Sequence, residues 1–195
     1  DYKNLHYGKN IFILSSGPSL ADLDLSLLKN KIVMGLNRST QIYPTPYYQC
    51  VFDYRLFDLY SDAYGNVRQL FTLDGRPLGM PLKLLGGEGF SLDLEEGIYS
   101  GYTISYFALQ VVVYMGFKNI FYLGLDLKHE GPQTHFFGQD PQTLNHEQTE
   151  FPRMIKMLNY GAEVLASTDA KVYNCSLNST LECFPKMSYQ EALTF

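Results

Sequence analysis

The sequence predicts an α/β fold built on a mostly parallel sheet, and three observations lead there. Short apolar runs, of which Ile11-Phe12-Ile13-Leu14 is the clearest, stop abruptly at small or polar residues, as strands buried on both faces do. Segments of helical spacing lie between these runs, and strand–helix alternation gives parallel strands joined by right-handed crossovers. Finally, the residues after each run are polar or contain glycine: 15–19, Asn37, Asp53, 124–128 and 174–176. In an open parallel sheet such loops share one neighbourhood beyond the carboxyl ends of the strands, where ligands bind.

The first strand is read at residues 10–14. In the turn that follows, Ser15-Ser16-Gly17-Pro18-Ser19, Gly17 offers backbone angles closed to other residues and Pro18 stiffens the exit. The serines supply hydroxyls and N–H groups where phosphates commonly sit. A short helix is expected from about residue 20, with Leu23, Leu27 and Leu28 on one face. The second strand, 31–36, ends at Asn37, and the third, 48–52, ends at Asp53. A helix is expected over about 55–63. Residues 66–96 break the rhythm. Thr72-Leu73-Asp74-Gly75-Arg76 has an Asp-Gly hairpin signature, and Gly86-Gly87-Glu88-Gly89 reads as a flexible stretch. This insertion, at about 66–96, is expected to be partly a β-hairpin, either a lid over the site or a plain edge. An apolar helix should run from Ser100 to about Met115, with Gly116 as its stop signal. The fourth strand, 119–123, leads into Gly124-Leu125-Asp126-Leu127, and a polar loop fills 128–145. A helix over about 149–166, a fifth strand at 171–174 and a short helix near 189–193 close the chain. Residues 1–195 read as one domain around that insertion.

Composition excludes several classes. With 15 basic and 20 acidic residues, net charge −5 and no long basic run, nucleic acid is not an expected partner. No apolar run is long enough to span a bilayer. Cys50, Cys175 and Cys183 have no metal-ligand spacing, and their odd number fits a reducing cytosol. The start at Asp1 fits a removed leader or a piece of a longer protein. Aromatic residues make up 15%, with 16 Tyr, 13 Phe and no Trp. The tyrosines suit either a core or a sugar- or nucleotide-binding cleft.

Each candidate residue has a structural and a functional reading. Ser100-Gly101 either caps the apolar helix or presents N–H groups and a helix dipole to an anion. Asn37 satisfies a turn or reads a base or ribose through its amide. Asp53 caps the helix after it, or binds a ribose hydroxyl or a divalent ion. His135 and His146 are loop histidines, either inert or able to take a proton from an attacking hydroxyl. Asp126, Lys128, His129 and His135 match no familiar metal spacing. Asp22-Leu23-Asp24 reads as a solvated helix face. A P-loop, a Gly-x-Gly-x-x-Gly fingerprint and a Gly-x-Ser-x-Gly elbow are all missing from the sequence.

Ile13-Leu14-Ser15-Ser16-Gly17-Pro18-Ser19-Leu20, Leu36-Asn37, Tyr99-Ser100-Gly101, and Gly116-Phe117-Lys118-Asn119-Ile120 leading to Gly124-Leu125-Asp126 resemble the bacterial lipooligosaccharide sialyltransferases. Val172-Tyr173-Asn174-Cys175-Ser176 and residues 188–193 fit equally a sister family, the 6-hydroxymethylpterin diphosphokinase-like proteins and motility-associated glycosylation factors. Gly124-Leu125-Asp126-Leu127 with Thr134-His135 is closer to that sister family. The resemblance implies a doubly wound, Rossmann-like, nucleotide-binding fold. It also implies a bacterial cytoplasmic enzyme, compatible with peripheral association at the inner face of the membrane. Such an enzyme transfers a sugar, a sialic or related nonulosonic acid, from a CMP-sugar to a hydroxyl of a glycan acceptor in lipopolysaccharide or other cell-surface synthesis. Ser16, Gly17, Pro18 and Ser19 would line the nucleotide phosphate, and Asn37 would contact the nucleotide. Asp53 would lie near the sugar or ribose. Ser100, Gly101 and Asp126 would hold the donor. His146 is the positional match to the family's general base and His135 its rival. The two family tyrosines that meet the departing phosphate fall near Lys128 and Thr134, where Lys128 would act by charge instead. No metal or other cofactor is expected in that reading. The diphosphokinase-like alternative would use ATP and Mg²⁺, with Asp53 and Asp126 as ligands. A non-catalytic nucleotide- or glycan-binding module is a third reading.

Overall fold

The computed structural model describes residues 1–129, 133–139 and 144–195, the last of these as backbone only up to residue 148. Its frame is the β-strands β1 (Asn10–Leu14), β2 (Val33–Leu36), β3 (Tyr48–Cys50), β4 (Gln69–Leu73), β5 (Met80–Leu82), β6 (Leu84–Gly86), β7 (Ile98–Tyr99), β8 (Asn119–Leu123) and β9 (Lys171–Asn174). The helices are α1 (Tyr54–Gly65), α2 (Ile104–Tyr114), α3 (Leu144–Leu165) and α4 (Tyr189–Ala192). Among the described residues the main sheet has seven strands in the order β5-β4-β3-β2-β1-β8-β9, every pair parallel. The chain winds outward from β1 to β5 on one side, then crosses to β8 and β9 on the other. The order therefore reverses between β1 and β8, where a doubly wound sheet opens a crevice.

Strand alternation divides the core. Ile11, Ile13, Ile120 and Tyr122 pack on one face with α2, Met157 and Leu158. Phe12, Leu14, Phe121 and Leu123 pack on the other with Leu20, Leu28 and Tyr189, as a two-residue side-chain period requires. The aromatic content is largely core: Tyr48, Tyr106 and Tyr122 are among the largest fully buried side chains. Cys50, Cys175 and Cys183 are all free thiols, and burial pushes the Cys175 thiol up to about 12.

Four expectations are corrected. The segment after β1 is not an amphipathic α-helix but two 3-10 turns, Pro18–Asp22 and Leu25–Leu28. Asp24 separates them and accepts the Ser26 N–H. Leu20 and Leu28 are buried, whereas Leu27 is exposed, because the tighter turn changes which residues share a face. Gly17 has φ −63° and ψ 155°, ordinary extended angles, so its glycine is not there for conformational freedom. The Asp-Gly turn does not close an antiparallel hairpin. Residues 74–79 carry the chain back so that β5 lies parallel to β4, extending the main sheet, with Gly75 and Gly79 at φ 80° and 95°. What remains of the insertion supplies β6, which pairs in parallel with β7 just beyond it, apart from the main sheet. The last correction concerns α2. It begins at Ile104 with Thr103 as its cap, the Thr103 side chain accepting from the Ser105 N–H, so Ser100 lies outside the helix. Gly116, at φ 82°, ends α2 as expected.

Among the described residues, no helix is long and apolar enough to cross a membrane.

Candidate functional site at the β1–β8 crossing

The loop after β1 is tied directly to the loop after β8. The Gly17 N–H donates to the Gly124 carbonyl at 2.8 Å. Asp126, only 7% exposed, accepts the Ser19 N–H at 3.0 Å and the Ser19 hydroxyl at 2.6 Å. Charge-assisted bonds of this kind are the stronger ones. The start of α2 is drawn to the same edge. Ser105 Oγ lies 3.2 Å from Ser15 Oγ, and the Tyr122 hydroxyl donates to the Ser105 carbonyl at 2.6 Å. Burial raises the Tyr122 hydroxyl well above its ordinary range, so it serves as a neutral donor.

These ties leave a cleft of about 230 Å³. From the β1 loop it is lined by Ser15, Ser16 and Gly17, from the ends of β2 and β3 by Asn37 and Asp53, and from the start of α2 by Thr103 and Ser105. The loop after β8 contributes Asp126, Lys128 and His129, the next loop Thr134 and His135, and α3 contributes Phe151 and Met154. The backbone here is strained. Among the described residues, four non-glycine residues have φ in the left-handed region, and three of them, Asn37 (48°), Tyr102 (62°) and Leu127 (51°), line this cleft. Such angles persist where surrounding contacts dictate them. At Asn37 those contacts are visible: its carbonyl accepts from Gln49 Nε2 and from the Tyr64 hydroxyl, each at 2.9 Å.

The residues singled out in the sequence are placed as follows. Ser16, Gly17, Asn37, Asp53, Asp126, Lys128 and His135 meet in the one cleft. Pro18 and Ser19 line a neighbouring cavity of about 400 Å³, which shares Asp126 and Lys128 with it. Ser100 and Gly101 do neither: their N–H groups are spent on the carbonyls of Gly86 and Gly87, at 2.9 and 3.0 Å. The helix start that reaches the cleft belongs to Thr103 instead. His146 lies in the first turn of α3, and its side chain is outside the described residues. Asp53 does cap α1, accepting the Arg55 N–H at 3.0 Å, and lies 3.4 Å from the Arg55 guanidinium.

Asp53 and Asp126 are thus both committed, one to a helix cap and an ion pair, the other to Ser19. Among the described residues no three His, Cys, Asp or Glu side chains gather as a metal site would need.

Tyr102, Thr103 and His129 were not assigned a place in the site from the sequence. His129 stands in Lys128-His129 beside the loop already singled out, and its ring packs edge-on to Phe151 at 4.9 Å. Tyr102 carries the Arg153 guanidinium 3.8 Å from its ring centroid. Its hydroxyl meets Glu88, which also pairs with Lys156 at 3.4 Å. Residues 86–89 and α3 are joined across Tyr102 in this way, at one side of the cleft.

No family model matches this chain, and no curated protein matches it in sequence. Solved structures are similar in fold. The sialyltransferase CstII from Campylobacter jejuni, in complex with a substrate analogue, cytidine-5'-monophosphate, superposes with a TM-score of 0.54 at 15% identity, covering 93% of this chain and 86% of that one. The same enzyme in complex with CMP-3FNeuAc gives a TM-score of 0.49, also at 15% identity. The first of these shows that this chain has a sialyltransferase-like, Rossmann-like fold.

Proposed function

We propose that this chain is a glycosyltransferase that moves a sugar from a CMP-activated donor, a nonulosonic acid by preference, to a hydroxyl of a glycan acceptor in cell-surface synthesis. One observation carries the reading. The loops after β1, β2, β3 and β8 and the start of α2 converge on one cleft at the point where strand order reverses, in a fold shared with an enzyme whose structure is in complex with CMP. The positive end of α2 at Thr103, with Ser16 in the same cleft, suits a phosphate. Asn37 and Asp53, at the ends of β2 and β3, suit the nucleoside.

The chemistry balances without a metal. The acceptor hydroxyl gives its proton to the imidazole of His135 as its oxygen bonds the anomeric carbon. The bond from that carbon to the phosphate oxygen breaks, and CMP departs with the electron pair. Lys128, at the junction of the two cavities, offsets the charge gathering on the phosphate. The acceptor takes the adjoining cavity, which is lined by polar groups including Asp22, Gln133 and Asn178.

Thermal unfolding with nucleotides tests the reading. CMP without metal is expected to raise the melting temperature, because a ligand that binds only the folded chain stabilises it. A rise with ATP and Mg²⁺ but none with CMP would replace it with the diphosphokinase-like alternative. Release of CMP from a CMP-nonulosonic acid, dependent on an added oligosaccharide, then establishes transfer.

A further inference from the structure

We infer that Gln49 and Tyr64 are positioning residues for the nucleotide: their grip on the Asn37 carbonyl holds Asn37 in the left-handed conformation in which its amide serves the cleft. This rests on the reading of Asn37 as a nucleotide contact in the proposed transfer.

Asn37 follows β2 directly and opens a 3-10 turn, Asn37–Gln41. Its carbonyl has two lone pairs, and a different element supplies a donor to each. Gln49 Nε2 comes from β3 and the Tyr64 hydroxyl from α1, both at 2.9 Å. A carbonyl only accepts, so Nε2 is the end of the Gln49 amide that faces it, and the hydroxyl hydrogen of Tyr64 points at it. Burial above all raises the Tyr64 hydroxyl above its ordinary range, so it keeps that hydrogen. Two donors fix the direction of the carbonyl and β2 fixes the chain before it, which leaves Asn37 at φ 48°. A residue with a β-carbon does not choose that angle for itself. Among the described residues the side-chain amide of Asn37 makes no hydrogen bond, and Asn37 lines the cleft. The backbone is held, and the amide is left for a ligand.

Two choices in the sequence that are unfavourable on their own meet at this point. Gly35 sits inside β2, where glycine weakens a strand, and it lies opposite Gln49 in the register. A methyl group on its α-carbon would overlap Gln49 Oε1 and Ser39 Oγ, so the bare backbone of Gly35 is what lets the Gln49 amide lie beneath the turn. Gln49 is fully buried, and its Oε1 has no hydrogen-bond partner among the described residues. A buried amide with one end unpaired costs stability that an apolar side chain would not. What the glycine and the buried amide secure together is the contact to Asn37.

Tyr64→Phe, Gln49→Met and the two combined keep the shape and remove the donors. The carbon chemical shifts of Asn37 by NMR report the sign of its φ and need no ligand. The native protein is expected to show left-handed values, and the double variant to lose them. CMP binding by calorimetry is expected to weaken about threefold in each single variant and about tenfold in the double, because affinity falls with the population of the competent conformer. In Asn37→Gly, which has no amide to aim, adding both substitutions is expected to change CMP affinity by no more than about twofold. Native affinity in a folded double variant overturns the inference. An equal loss with and without the Asn37 side chain overturns it as well, since that marks a merely structural role, and so do left-handed shifts that persist without the donors. If the double variant does not fold, Tyr64→Phe, which removes one oxygen, decides: native shifts and native affinity there would overturn the inference. If the native protein binds no CMP, the proposed function fails, and the shifts by themselves still decide whether Gln49 and Tyr64 hold Asn37.

Discussion

Gly17 lies against Asp126 so closely that a methyl group on its α-carbon would overlap the carboxylate and come within 2.5 Å of the Gly124 carbonyl oxygen. Asp126 meanwhile grips Ser19, two residues further on. The floor of the cleft is therefore two loops pressed together, with no room between them for a side chain.

Gly17→Ala should consequently damage both fold and site. Its angles suit alanine, so the penalty is steric, and backbone oxygen cannot rotate away as a side chain can. Urea unfolding is expected to show a loss of about 1–3 kcal/mol, the usual range for overpacking, with CMP binding weakened by calorimetry. A variant as stable as the native protein would show that the loops part at little cost.

At Asn37 stability and binding can be separated. Its φ of 48° is unfavourable for residues with a β-carbon, least so for Asn, and free of penalty for Gly. Asn37→Ala is expected to cost about 1 kcal/mol, whereas Asn37→Gly stays near native stability. Both lose the amide, so both should bind CMP roughly tenfold more weakly, equivalent to about 1.4 kcal/mol. Native affinity in Asn37→Gly would remove the side chain from the nucleotide site.

The cap of α2 makes a third comparison. Thr103→Ala removes the side-chain acceptor for the Ser105 N–H and is expected to cost about 1 kcal/mol by thermal unfolding. Ser100→Ala, outside the helix, should stay within about 0.5 kcal/mol. The reverse order would restore Ser100 as the working cap.

His6 gives a pH dependence remote from the cleft. Its Nε2 lies 2.6 Å from the Tyr48 hydroxyl and its ring stacks on Phe117 at 4.7 Å. Burial first, and the Lys9 charge second, hold its pKa below the ordinary value. Above about pH 6.5, the ordinary histidine value, the ring is neutral in folded and unfolded chains alike. Below it the unfolded chain takes up a proton that the folded chain resists, so stability falls with pH until the folded value is reached. The melting temperature should decline less between about pH 7.5 and 5.5 in His6→Gln than in the native protein. Parallel declines would mean that His6 titrates alike in both states.

How far the sequence reveals the site depends on the range of the interactions. The bounds of β1 and β8 are legible because each strand holds a continuous apolar run ended by a polar or glycine residue, and the rule that ligands gather at the ends of such strands placed Ser16, Gly17, Asn37, Asp53 and Lys128 together. Turns were less legible. Leu23, Leu27 and Leu28 look like one helical face, but the Asp24 cap divides the segment into two 3-10 turns. Asp74-Gly75 has the chemistry of a hairpin, yet β5 returns parallel. Ser100 has the chemistry of a cap, yet its N–H is taken by Gly86.

By itself, then, the sequence determined an α/β fold with a mostly parallel sheet and which strand-end loops would gather at one edge, but not that residues 69–82 add two further strands to that sheet, since burial of apolar runs is local and the pairing of β4 and β5 is not. Only the tertiary structure decided which polar groups reach the cleft and which are spent holding it. Ser19 and Asp126 are joined across 107 residues and Ser15 and Ser105 across 90. A hydroxyl or carboxylate carries the same chemistry in either role, and its partner, brought near by the packing of distant segments, selects between them.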